Sequence, residues 1–354
     1  MRFSFLSSPT DGARLLRCRS RTLIAVLENA PHPLSPNTRP PRLKYSDERG
    51  RKSCTAKGKF VPLQTIKQSI MFSPFTLNIR SKIVSVTRPL VMAIFNTTPD
   101  SFYSRSRLGG RTDDYASILE KMVADGADII DIGGYSSRPG AADISEEEEW
   151  QRVQPAISLA RRILPDTMIS VDTFRSGIAR RAADEGADII NDISAGALDP
   201  AMADVVAACR LPYIIMHMRG TPETMGTMTD YPRGVVAEVI ESLSETVRNL
   251  RLKGVADIIA DPGFGFAKTL EQNYELLAGL KTVIDTLGVP TLVGMSRKSM
   301  LSKFLDIPTE ETLPATVTVN TQALLQGAAI VRVHDVREGV QAVKLAQALS
   351  SHMN

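Results

Sequence analysis

The sequence predicts an α/β fold of the (β/α)8 barrel type, and three observations carry that prediction. Eight short apolar runs, rich in β-branched residues, each finish on polar residues. They read VMAIFN (91–96), DIIDIGG (128–134), MISVDT (168–173), DIINDIS (188–194), YIIMHM (213–218), DIIADPG (257–263), TLVGMS (291–296) and AIVRVHD (329–335). Most consecutive runs lie about one βα unit apart, ~30 residues. The stretches between them carry helical spacing. Eight strands alternating with eight helices is the barrel count, and the span from about 88 to 350 fits the ~250 residues typical of that fold. A doubly wound sheet shows about five or six strands.

Residues 1–70 precede this pattern and lack periodicity. They hold 14 Lys and Arg against 4 Asp and Glu. Such a segment is expected to be disordered. It reads as upstream sequence with Met71 as the true start, as an Arg-rich targeting segment, or as a basic nucleic-acid tail. The first reading is preferred. A start at Met71 leaves a complete barrel, and Pro31, Pro33, Pro36, Pro40 and Pro41 interrupt any amphipathic presequence. Residues 71–354 form the barrel domain.

The segment 75–87 (FTLNIRSKIVSVT) alternates strictly and predicts a short hairpin closing the amino-terminal mouth of the barrel. The eight runs do not alternate, as expected of parallel strands buried on both faces. Helices are expected over 113–125, 146–164, 175–185, 199–209, 231–253, 269–287, 314–327 and 336–350. Four glutamates open the second of these and suit the positive end of a helix dipole. ADGAD (124–128) and DEGAD (184–188) each end a helix on glycine and enter a strand.

Composition excludes several function classes. The chain has 354 residues and a formal net charge of +3. Beyond residue 70 it holds 28 basic and 35 acidic residues, so the barrel is mildly acidic and is not expected to bind nucleic acid. No apolar stretch reaches 18 residues, which predicts no spanning helix and no membrane partner. Cys18, Cys54 and Cys209 have no metal-ligand spacing and suit a reducing compartment. The expected location is cytoplasmic, or organellar if residues 1–70 are a targeting segment.

The polar run ends carry the chemistry. Asn96 opens NTTPDSF (96–102) at the first strand tip, where a carboxamide can reach an oxyanion or a metal-bound water. DIGGYSSRPG (131–140) offers Ser137 and Arg138 after two glycines, an arrangement that suits phosphate. Asp172 and Asp192 sit among apolar strand residues, so each pairs internally, binds a ligand donor or shifts its pKa. A planar heterocycle with ring N–H and amino donors would satisfy such a carboxylate, with Asn191 on a neighbouring edge. DPGFGFAKT (261–269) brings Asp261, apolar walls at Phe264 and Phe266, and Lys268. SRKS (296–299) places Arg297 and Lys298 beside a helix start, an anion site. Arg332 and His334 alternate to one side of the last strand. Barrels often hold phosphate at the ends of strands seven and eight. His217 occupies a supporting position at the fifth tip, and its neighbouring methionines suit adaptable packing. A phosphorylated or pyrophosphorylated heterocycle fits both halves of the site.

Taken in order, NTTPDSF, DIGGYSSRPGA, VDT, NDIS, the His217 loop, DPGFGFAKT, SRKS and RVHDV resemble the dihydropteroate synthases of the pterin-binding barrel family, over about residues 73 to 350. The resemblance implies condensation of 6-hydroxymethyl-7,8-dihydropterin pyrophosphate with 4-aminobenzoate, with Mg2+ as cofactor. It assigns Asp172, Asn191, Asp261 and Lys298 to the pterin, with Arg332 against the ring. Asn96, Arg332 and His334 would hold pyrophosphate, and Asn96 would also lie near the metal. Ser137 and Arg138 would belong to a mobile loop. Phe266, Pro139, Lys298 and Ser299 would shape the aminobenzoate pocket. Asp172, Lys298, Arg332 and His334 are the catalytic candidates, and a homodimer is the implied assembly. Two departures stand out. Tyr135, Ser136 and Ser137 stand where the family carries Glu, Ser and Thr, with Ser137 keeping a hydroxyl, and residues 103–110 lack the Ser-Asp-Gly-Gly of the first loop. The alternatives are a methyltetrahydrofolate-dependent methyltransferase of the same family and a pterin-binding paralogue without catalysis.

Overall fold

The computed structural model describes residues 3–6, 15–18, 72–98, 113–136 and 143–352. The chain divides into two units, Met1–Gln68 and Ser69–Asn354. In the first unit, β1 (Phe3–Leu6) pairs antiparallel with β2 (Leu15–Cys18). These two short strands are the described part of the segment expected to be disordered. For the rest of that segment the expectation falls outside the described residues.

The second unit opens with the predicted hairpin, β3 (Phe75–Ile79) and β4 (Lys82–Val86), paired antiparallel. Arg80 and Ser81 make its turn with φ of 51° and 60°. Leu77, Ile79 and Val86 are its buried face. They pack against Leu90, Met92, Ile129, Ile189, Ile214, Ile259, Leu292 and Ile330 from the first halves of the barrel strands. The hairpin therefore plugs the amino-terminal end of the barrel, as its alternation predicts.

Eight parallel strands follow. They are β5 (Leu90–Asn96), β6 (Ile129–Gly133), β7 (Met168–Asp172), β8 (Ile189–Asp192), β9 (Tyr213–Met216), β10 (Ile258–Asp261), β11 (Leu292–Val293) and β12 (Ile330–Val333). Neighbours in the sheet run β10-β9-β8-β7-β6-β5-β12-β11. A parallel bridge between Ala260 and Thr291 joins β10 to the start of β11 and closes the ring. The seventh run is shorter than predicted. Past Val293 the chain leaves the ladder at Gly294 and turns, with Lys298 N donating to Met295 O at 3.2 Å.

The intervening helices are α1 (Asp113–Ala124), α2 (Glu146–Ile163), α3 (Ser176–Glu185), α4 (Met202–Cys209), α5 (Val235–Leu252), α6 (Leu270–Ala278), α7 (Leu280–Leu287), α8 (Ser299–Leu305), α9 (Leu313–Leu325) and α10 (Val336–His352). Ser145 caps α2 by accepting from Glu148 N. Gly126 and Gly186 leave α1 and α3 with φ of 104° and 103°, the left-handed exit the two repeats signalled. The predicted single helix over 269–287 is two. Its first half starts on a Thr269–Gln272 capping box and stops at Gly279. A Cβ there would lie 2.7 Å from Val236 Cγ2, so close packing against α5 requires glycine at the break.

The core has two layers. Residues such as Val91, Ile130, Val171, Ile190, Ile215 and Val331 face the helices. The alternate positions face the barrel axis. Along that inner face the chain runs from apolar to polar: Ile129 to Asp131, Met168 to Asp172, Ile189 to Asn191, Ile259 to Asp261, Ile330 to Arg332. The polarity gradient of the runs is this inner row read from bottom to top. The aspartates that begin three runs serve the opposite end. Asp128 receives Arg88 at 2.6 and 3.0 Å, Asp188 receives Arg161 at 2.5 Å, and Asp257 accepts from the hairpin's Asn78 N at 2.7 Å.

Candidate active site

The carboxyl ends of the strands bring most of the predicted residues to one mouth. Arg332, on β12, donates from Nε to Asp131 Oδ2 at 2.6 Å and from Nη2 to Asp172 Oδ2 at 2.7 Å. Asn191 Nδ2 donates to the same Asp131 oxygen at 3.0 Å. Gly294 forms the floor on the other side. A Cβ there would lie 3.9 Å from Arg332 Cβ, from Asp261 Oδ2 and from Lys298 Nζ, so these three side chains converge on it. Gly133 plays the same part between Asn96 and Asp172, at 3.4 and 3.5 Å. Parallel register explains this, because Asn96, Gly133 and Asp172 are successive partners across β5, β6 and β7.

Exposure separates the members of this cluster. Asp172 and Arg332 keep 24% and 20% of their side chains open, while Asp131 has none. Burial pushes the Asp172 carboxyl up to about 7, against the pull of Arg332 and with the help of the Asp131 charge. Burial likewise raises Asp261, against Lys298. Burial brings the Lys298 ammonium down to about 8, opposed by Asp261. Lys298 Nζ donates to Phe264 O and lies 4.6 Å from the centre of the Phe266 ring. Phe266 is half-buried, so its ring forms a wall beside that amine. Ser299 begins α8 and is exposed. His334 Nδ1 lies 3.1 Å from Ser296 Oγ, on the same side of the strand end as Arg332.

Several expectations are refined by these contacts. Arg297 is not an open anion ligand. Its Nε and Nη2 both donate to Asp335 at 2.8 Å, and Nη1 reaches Glu310 O at 3.3 Å. Asp192 belongs to an internal network, accepting from Tyr213 OH at 2.6 Å, Ser194 N at 2.7 Å, and Ser194 Oγ and Gly196 N at 2.8 Å. Lys268 turns inward. Its Nζ donates to Gly263 O at 2.9 Å and Phe266 O at 3.0 Å and meets His217 Nδ1 at 3.1 Å, holding the 261–269 loop. Glu149 closes the first turn of α2 but is buried and paired with Arg175 rather than serving the helix dipole from solvent. Ser137, Arg138 and Pro139 lie outside the described residues, as do residues 99–112.

Asp131 is the residue that the motif reading passed over. It lay within a predicted run, but the glycines and serine after it drew the functional argument. The available signal was a charged residue flanked by isoleucines at an inward strand position, the same signal that singled out Asp172.

A closed parallel barrel with acids, an amide and two cations grouped at the carboxyl ends of its strands is the architecture of the (β/α)8 enzymes. The model of the pterin-binding enzymes matches residues 92–334, and the chain belongs to that family. A dihydropteroate synthase of Synechocystis is 45% identical over 268 residues, which is 74% of this chain and 90% of that protein. Among solved structures, the Yersinia pestis dihydropteroate synthase in a sulfonamide drug complex superposes with a TM-score of 0.73 at 37% identity, covering 78% of this chain and all of that one. The Xanthomonas albilineans dihydropteroate synthase with 4-aminobenzoic acid gives 0.71 at 35% identity, covering 79% and 99%.

Proposed function

We propose that this chain condenses 6-hydroxymethyl-7,8-dihydropterin pyrophosphate with 4-aminobenzoate, releasing 7,8-dihydropteroate and pyrophosphate. The observation that carries this reading is the grouping of Asp172, Asn191, Asp261, Lys298 and Arg332 around Gly133 and Gly294. Carboxylates suit the amino and ring N–H donors of a pterin, and Asn191 offers both a donor and an acceptor. Lys298 supplies a donor to a ring carbonyl. Arg332, Asn96 and His334 would hold the pyrophosphate.

In the reaction the C–O bond to pyrophosphate breaks and its electron pair leaves with the phosphate. The exocyclic carbon becomes cationic, with the charge spread into the ring, and Asp172 opposes that charge from the barrel mouth. The arylamine lone pair then forms the C–N bond and the nitrogen loses a proton. Phe266, Lys298 and Ser299 would shape the aminobenzoate side, together with Pro139. Ser137 and Arg138 would close over the phosphate and exclude water.

The donor set suits magnesium. Among the described residues no three His, Cys, Asp or Glu side chains form a metal cluster. Mg2+ commonly takes one or two protein oxygens and completes its shell with water and substrate phosphate. Asn96 would offer such an oxygen, and the bound ion would neutralise charge on the leaving pyrophosphate. The cations at the ends of β11 and β12 favour this chemistry over methyl transfer, which has no pyrophosphate to release.

Among the described residues no helix is long and apolar enough to cross a membrane. The reading includes a cytoplasmic location, or an organellar one if residues 1–70 direct it, and a homodimer. Exposed Leu345 and Leu349, one turn apart on α10, support an apolar contact between copies.

The test is incubation of the purified full chain with both substrates and Mg2+. Dihydropteroate and pyrophosphate are expected in equal amounts. Pyrophosphate without dihydropteroate, or neither product, overturns the reading.

A further inference from the structure

Asp131 is fully buried on the inner face of β6, one inward position below Gly133. Its Oδ2 accepts from Arg332 Nε and from Asn191 Nδ2, at 2.6 and 3.0 Å. Arg332 thus bridges two carboxylates of different character. Asp172 is partly open at the mouth, where a ligand's own donors can reach it. Asp131 has no exposed side-chain surface, so a ligand in the mouth cannot displace it.

We propose that Asp131 is a positioning residue for the synthase reaction. It holds the Nε edge of Arg332 and the carboxamide of Asn191 while Asp172 passes to the substrate. This inference rests on the synthase reading above. A guanidinium carries five N–H donors in a rigid planar fork. The two bonds described use two of them. With Nε held on Asp131, the plane of the fork stays fixed when Nη2 leaves Asp172, and the remaining donors keep facing the bond that breaks. Without that hold the side chain has its full rotamer freedom, and the leaving group meets a mobile cation. The same oxygen orients Asn191, so one buried carboxylate registers a pterin-side group and a pyrophosphate-side group against each other.

A positioning role through Arg332 has a signature that general structural support lacks. Asp131→Asn can keep an oxygen toward Arg332 and Asn191, since Oδ1 has no hydrogen-bond partner, but it removes the charge that holds the guanidinium edge. In the wild-type background it should lower kcat at least tenfold and leave KM for 4-aminobenzoate within threefold, because no hydrogen bond or ring contact of Phe266, Lys298 or Ser299 is with Asp131 among the described residues. In the Arg332→Ala background the same substitution should change kcat less than threefold, since residues acting through one another are not additive. Equal losses in both backgrounds, or a wild-type-background loss under threefold, overturn the proposal. Circular dichroism establishes that the variants are folded. If Asp131→Asn does not fold, Arg332→Lys carries the test. It keeps the charge but has no Nε to anchor, and should also lose at least tenfold in kcat; a loss under threefold overturns the proposal. Calorimetric titration with inorganic pyrophosphate reads the anchor without turnover and keeps this proposal separate from the synthase reading, which the wild-type assay tests. The affinity should fall at least fivefold in Asp131→Asn, and a smaller fall counts against the anchor even if the wild type makes dihydropteroate.

Discussion

Arg332 Nη2 donates to Asp172 Oδ2 at 2.7 Å, tying the tip of β12 to the tip of β7 across the barrel mouth. Each group therefore satisfies the other. A substrate that offers ring donors to Asp172 and phosphate oxygens to Arg332 satisfies both partners as it separates them. The pair is a preformed stand-in for the substrate's own charge distribution.

Asp172→Asn should retain the fold and lose most synthase activity. The amide keeps the volume but cannot oppose a developing cation. Removing one preorganised electrostatic group in an active site typically costs ~10²–10³ in kcat. Steady-state rates alongside circular dichroism check this, and near-wild-type turnover would remove the counter-charge role.

Arg332→Ala should weaken pyrophosphate binding by ~2–5 kcal/mol, the usual cost of truncating a buried charge-assisted partner. Part of that cost arises because Asp131 and Asp172 lose their shared cation. Titration calorimetry with pyrophosphate reads the change, and an unaltered affinity would count against Arg332 as an anion ligand.

The pH dependence follows from two shifted groups. Burial raises Asp172 to about 7, so the ionised form needed in catalysis accumulates as pH rises through that value. Burial lowers Lys298 to about 8, so its cation is lost above that value. The profile of kcat/KM for the pterin substrate reports free-enzyme groups. It should rise with a midpoint near 7 and fall with one near 8. The residual activity of Asp172→Asn should lack the acid limb, and Lys298→Arg should move the basic limb upward.

Asp192→Asn should behave differently from Asp172→Asn. Asp192 accepts from three donor residues and is fully buried. An amide cannot accept them all, so the fold should lose about 1–3 kcal/mol, the cost of a buried polar group left unsatisfied. Thermal unfolding should show a lower midpoint. The folded fraction should turn over within threefold of wild type.

Asp172 and Asp192 illustrate how far the motifs could be read. Both are acids at strand tips with apolar neighbours, and the linear pattern treats them alike. Their fates diverge because Asp172 lies at an inward position beside Gly133, while the chain after Asp192 turns back at Gly196 with φ of 83° and supplies donors to it. Arg297 and Lys298 diverge similarly. They are adjacent, yet one is taken by Asp335 and the other is directed at Gly294. The break at Gly279 is not legible either, since the helical period runs through it and the close approach of Val236 belongs to tertiary packing.

Local chain chemistry alone settled the barrel, the plug hairpin and the identity of the residue at each strand tip. Burial on both faces selects continuous apolar runs, and the two-residue strand period assigns each side chain to the axis or to the helices. Partnership within the mouth was settled by closure of the ring. Asp131 and Arg332 are 201 residues apart, and Asp172 and Arg332 are 160 apart. They meet because β12 pairs with β5, which pairs with β6, in a register that local propensity does not specify. A hydrogen bond needs its atoms placed to within a few tenths of an ångström, and that precision comes from the packing of the whole barrel.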